Sequence, residues 1–176
     1  MKTKDLTKIA LFVAVLTVSA YITVPFVIPF TMQTFAVFLA CFMLGGVKAF
    51  IAILVYVLLG AIGLPVFSGF KGGAGALLGP TGGYIVGFLF SALVYGAITT
   101  VFGEKFVVKI IAAVTGLALL YAFGSLWFAF GYSAGGAGSL GVILLKCVVP
   151  YIVPDLVKIF AAAIVAERLG KVVTHA

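Results

Sequence analysis

Six apolar runs dominate this chain, and what breaks them is proline, glycine or a short group of lysines. They cover about Leu6 to Val24, Met32 to Leu44, Val47 to Leu64, Gly83 to Val101, Ile110 to Phe130 and Val142 to Leu169. Runs this continuous lack the period-two alternation of a membrane barrel. Only 9% of the residues are charged, against about 25% in a soluble domain. The expected fold class is therefore an all-α integral membrane protein of six transmembrane helices, one domain over residues 1–176. The N-terminal "MKTKDLTK" resembles the charged start of a signal peptide. The run behind it ends in "VPFVIPF" and lacks a small-residue cleavage site, so it is read as the first spanning helix.

The net charge of +7 has two readings, nucleic-acid binding or membrane topology. The positions of the cations favour topology over nucleic acid. Six spans with an inner N-terminus place Lys2, Lys4, Lys8, Lys48, Lys105, Lys109, Arg168 and Lys171 on the cytoplasmic side. Lys71 and Lys146 then fall outside, and Lys158 lies within a helix. That asymmetry fits both termini being cytoplasmic in a multi-pass protein of the cell membrane. No internal repeat of the kind found in many secondary transporters is visible.

The second run has only 13 residues, or ~20 Å of helix, short for a ~30 Å hydrocarbon core. Beyond the third run comes "GLPVFSGFKGGAGALLGPTGGY", residues 63–84. It is too long for a plain linker, and Lys71 is not followed by the Ser or Thr of a phosphate-binding loop. Irregular backbone is tolerated at membrane depth only where protein buries it or water bathes it. The stretch is thus expected to cap an outward-facing cavity, with glycines such as Gly73 and Gly75 letting the backbone approach a ligand. Its alternative is a flexible outer loop. "GYSAGGAGSLG", residues 131–141, is a second Gly-rich connection on the same side.

Few polar side chains interrupt the runs. Asp155 and Lys158, in "VPDLVKIFAAAIVA", stand one turn apart and share a helix face, with Pro154 expected in the first turn. An ionisable pair in an apolar helix should face the protein interior or a wet cavity. It reads either as a self-contained ion pair or as a ligand site. Gln33, at the start of the short second helix, either caps that helix or faces the cavity. Ala10 and Ala14 have the spacing that lets another helix pack closely. Cys41 and Cys147 lie in apolar runs, and no cluster of metal-ligating residues accompanies them or the tail residue His175. An intramembrane enzyme would need a nucleophile–base pair or a metal, and a channel would need polar residues lining several helices.

"GLPVFSGFKGGAGALLGPTGGYIVGF", together with a late "PDLVK" in six runs, resembles the BioY family, the biotin-specific S components of energy-coupling-factor transporters. The resemblance covers nearly the whole chain. It implies an outward-facing biotin site in a six-helix fold. It also implies, as partners, a transmembrane coupling protein and two ATP-binding cassette subunits, with no cofactor beyond the transported biotin. Ala10 and Ala14 resemble the alanine motif that engages the coupling protein. Biotin chemistry then suits Asp155 as acceptor for the ureido N–H groups, and loop N–H groups, Tyr84 or Gln33 as donors to the ureido carbonyl. Lys158 or Lys71 would hold the carboxylate, and Phe67, Phe70, Leu77 and Tyr84 would form apolar walls. An S component for another vitamin is the nearest alternative.

Overall fold

The computed structural model describes residues 2–26, 28–132 and 140–174. Helix α1 (Thr3–Tyr21) leads into a two-stranded hairpin, β1 (Thr23–Val24) paired with β2 (Phe30–Thr31). Helices α2 (Gln33–Leu44) and α3 (Gly46–Ala61) follow, then the Gly-rich stretch with one short helix, α4 (Ala74–Leu77). The chain continues as α5 (Gly82–Phe102), α6 (Phe106–Tyr132), α7 (Leu140–Cys147) and α8 (Val149–Thr174). Most of "GYSAGGAGSLG" lies outside the described residues, as does His175.

Among the described residues three helical stretches are long and apolar enough to cross a membrane, Gly82–Phe102, Phe106–Tyr132 and Val149–Gly170. Helices α2 and α3 are apolar but shorter, at 12 and 16 residues. Small residues set their packing. Ala36, Ala40, Ala49, Ala52, Ala92, Ala112 and Ala162 are fully buried, while Leu93, Val101, Ile111 and Phe130 point outward. This is the arrangement of membrane helices, whose backbones approach through small side chains because lipid offers large apolar ones no penalty. Helix α2 packs against α1, α3 and α8, and α5 lies along α6. Across the latter contact the Ser91 hydroxyl donates to the carbonyl of Gly116 at 2.9 Å.

The last apolar run departs from expectation. It is two helices, broken at Val148, and the proline in the first turn of α8 is Pro150. Pro154 lies inside the helix, where its missing N–H leaves the carbonyl four residues earlier without its usual donor. Asp155 and Lys158 therefore stand in the second and third turns of α8, deeper than the sequence reading placed them.

At the α3–α5 crossing two backbones meet through glycine. A side chain at Gly46 would collide with the backbone of Gly96. At Gly75, by contrast, nothing lies within 4 Å of an added methyl. Gly46→Ala should cost about 1–3 kcal/mol of stability through overpacking, whereas Gly75→Ala should cost almost none. Thermal unfolding of the detergent-solubilised variants measures both, and equal midpoints would show that the helices separate freely.

Candidate functional site

A cavity of about 400 Å³ opens between the hairpin, the Gly-rich stretch and helices α2, α5, α6 and α8. Its polar end is built on α8. Lys158 and Asp155 are 7% and 4% exposed. The Lys158 ammonium donates to Asp155 Oδ1 at 2.8 Å and to the carbonyl of Thr31 at 2.7 Å. It also sits 3.7 Å from the centre of the Phe30 ring, a cation–π contact. The Tyr121 hydroxyl of α6 donates to Asp155 Oδ2 at 2.6 Å. Each carboxylate oxygen thus has a partner, and the pair is electrically neutral. Both conditions are needed to keep charge in a site of low dielectric.

The hairpin is tied to α8 a second time. The Tyr151 hydroxyl donates to the carbonyl of Ile28, and the Tyr151 ring packs on Phe26 and Phe30. On its other side the hairpin meets the Gly-rich stretch. Tyr21 donates to the carbonyl of Pro65 at 2.6 Å, and Ser68 to Thr23 Oγ1 at 3.1 Å. The far end of that stretch is held by Trp127, whose indole N–H donates to the carbonyl of Gly79 at 3.1 Å. Phe67 locks the near end. Its ring fills the space beside Gly60, where any side chain would collide with it, and meets Tyr56 edge-on.

Gln33 is oriented by its network. Tyr56 donates its only proton to the carbonyl of Val66 at 3.1 Å, so it must accept from Gln33 Nε2, 2.6 Å away. That leaves Gln33 Oε1 to accept from Thr31 Oγ1 at 3.1 Å. The Thr31 hydroxyl in turn accepts from the backbone N–H of Gln33 at 3.2 Å. Of the two readings of Gln33, the cavity-lining one describes its position.

The fold brings Gln33, Phe67, Lys71, Gly75, Tyr84, Asp155 and Lys158 to this one cavity. Lys71 is at its exposed rim, and no acidic partner faces it among the described residues. Three expectations need correction. Phe70 is 67% exposed and does not line the cavity, because Gly69 and Phe70 both adopt positive φ in a tight turn. That turn closes when Phe67 N–H donates to the carbonyl of Lys71, and it stacks Phe70 on Tyr21, 4.2 Å between ring centres. Gly73 does not offer a free N–H to a ligand, since that group donates to the carbonyl of Gly60 at 2.7 Å. The cavity meets Gly72 instead. Leu77 is half-buried against the main core. Ala10 and Ala14 lie elsewhere, on the exposed face of α1.

Sequence reasoning missed Tyr121, Phe30 and the Thr31 carbonyl. One signal was available for Tyr121. A tyrosine in an apolar run carries a hydroxyl that needs a partner when buried, and the six runs hold two acids, Asp155 and Glu167, of which Glu167 lies at the charged end of the last run.

The BioY family model matches residues 1–175. The chain belongs to the BioY family. It is 41% identical over 170 residues to the probable biotin transporter BioY of Pyrococcus horikoshii, covering 96% of this chain and 98% of that one. It is also 41% identical over 170 residues to the biotin transporter BioY of Thermotoga maritima, covering 96% of each. Its fold matches the crystal structure of the S-component for biotin from an ECF-type ABC transporter, with a TM-score of 0.85 and 25% identity. That match covers 97% of this chain and 95% of the other. As a BioY-family chain with long apolar helices, it is a multi-pass protein of the cell membrane.

Proposed function

We propose that this chain is the substrate-binding membrane subunit, the S component, of an energy-coupling-factor transporter, and that it captures biotin from outside the cell. The observation that carries the reading is the charge arrangement of the cavity. Asp155 and Lys158 neutralise one another at the buried end, and Lys71 stands unpaired at the rim. The lining therefore carries one net positive charge beside apolar walls. Such a site complements a ligand with a neutral polar ring, an apolar body and a single anionic tail. The names carried by the relatives support the same ligand.

In this reading one ureido N–H bonds to Asp155, and the ring packs between Phe67 and Tyr84. Gln33 and the backbone around Gly72 and Gly75 border the ring. Lys71 holds the carboxylate, because the charge of Lys158 is already balanced. Six spans place the hairpin and the Gly-rich cap outside and both termini in the cytoplasm. Two ion pairs, Lys48 with Asp5 at 2.6 Å and Lys109 with Glu104 at 3.2 Å, join residues on the cytoplasmic side of that topology.

Biotin, thiamine and riboflavin titrated into the detergent-solubilised chain without ATP test the substrate. Biotin should bind far more tightly than the other two, and equal or better binding of another vitamin would sink the assignment. Removing one partner of a buried charge pair costs on the order of 2–5 kcal/mol, so Asp155→Asn should weaken biotin by orders of magnitude. Lys71→Ala should weaken biotin strongly and biotin methyl ester little. If Lys158→Ala shows that pattern instead, the tail lies on Lys158.

The partners proposed are a transmembrane coupling protein and two ATP-binding cassette subunits, with Ala10 and Ala14 as the docking face. Both alanines are exposed on α1, and small side chains there admit a second helix at close range. Replacing both with tryptophan should abolish co-purification with the coupling protein and leave biotin binding within a few-fold of the parent. Loss of both properties together would mean that the face is needed for folding only.

A further inference from the structure

Asp155 and Lys158 lie on one helix, so their ion pair alone does not fix where the carboxylate points. The side chains could swing together across the face of α8. Among the described residues Tyr121 is the one side chain from another helix that bonds this carboxylate. Its ring is half-buried against both apolar clusters, so the hydroxyl is delivered from a fixed place.

We propose that Tyr121 is a positioning residue. It aims the Asp155 carboxylate at ligand N–H donors and thereby makes the site selective for a ring that carries them. This deepens the biotin reading and rests on it. An ionised carboxylate has about four lone-pair sites. Tyr121 occupies one on Oδ2 and Lys158 one on Oδ1, which leaves one on each oxygen. Because the Tyr121 proton is committed to Asp155, the hydroxyl presents only acceptor character to the cavity. Two N–H groups of the Lys158 ammonium are spent on Asp155 and Thr31, so at most one, beside the Phe30 face, is left to donate to a ligand. The cavity end thus offers several acceptors around at most one donor. A cyclic urea is the complement, with N–H groups on either side of a carbonyl. A ring that places oxygen where an N–H should be sets lone pair against lone pair. Holding the acceptors in place before binding saves the ordering cost that a loose carboxylate would impose.

The test compares the parent with Tyr121→Phe, which keeps the ring and removes the hydroxyl. Three ligands are titrated: biotin and the two cyclic carbamate analogues, in each of which oxygen replaces one ureido N–H. Gel filtration and thermal unfolding establish that the variant is folded. Tyr121→Phe should weaken biotin roughly 10- to 100-fold, the scale of a hydrogen bond to a charged group. That penalty should shrink to a few-fold for the analogue that lacks the N–H facing Asp155. In the parent, that same analogue should bind at least about tenfold more weakly than its isomer, a comparison that does not depend on the variant. An equal penalty for all three ligands would mean that Tyr121 acts by packing, and would overturn the inference. So would unchanged biotin affinity in Tyr121→Phe, which leaves the biotin reading intact. A folded parent that does not bind biotin overturns the reading and the inference together.

Discussion

An ion pair inside an apolar helix is the constraint around which the rest of this structure is arranged. Lys158 and Asp155 would be costly in α8 if either were alone. The fold meets that cost with three contacts from two elements: a tyrosine from α6, and a backbone carbonyl and an aromatic face from β2. Those contacts also shape the cavity. The Lys158–Thr31 bond draws the hairpin onto α8, and the hairpin through Thr23, with Tyr21 at the end of α1 beside it, in turn holds the Gly-rich stretch. The charge pair and the outer cover are therefore one connected structure.

The same pair limits what the cavity can attract. With Lys158 neutralised, the lysine left to act on an anion is Lys71, on the exposed part of the lining. In the proposed reading, recognition of the ring and recognition of the tail are separated by depth. The ring meets fixed dipoles and a neutral pair in the buried interior. The tail meets an exposed ammonium where the desolvation of a carboxylate costs least. The glycines contribute space more than conformation. Only Gly69 and Gly73 within the stretch between Lys71's turn and α4 need positive φ, whereas Gly72 is required because a side chain would strike the backbone of Leu64.

Much of this was legible in the sequence, and the limits have physical causes. Apolar runs and their Gly, Pro and Lys breaks gave the helices to within a few residues, since a span must satisfy its own backbone. Asp155 and Lys158 stood out because ionisable residues in such runs are rare. The break at Val148 was hidden: an apolar residue between two apolar helices carries no mark, and Pro154 offered a more familiar helix start than Pro150. Phe70 and Gly73 were misplaced because composition says nothing of which way a tight turn throws its side chains, or which carbonyl an N–H finds. Tyr121 is one of seven tyrosines, and only the packing of α6 on α8 singles it out. The Thr31 carbonyl is a backbone acceptor and has no signature in residue type.

The central claim is that one cavity holds biotin with its ring on the Asp155–Lys158 pair and its tail toward Lys71. A structure determined with biotin bound tests it most directly. The predicted result is one ureido nitrogen within hydrogen-bond distance of the Asp155 carboxylate, the Tyr121–Asp155 bond retained, and the biotin carboxylate beside the Lys71 ammonium. A ligand bound in the opposite sense, with its carboxylate on Lys158 and its ureido ring at the rim, would contradict it.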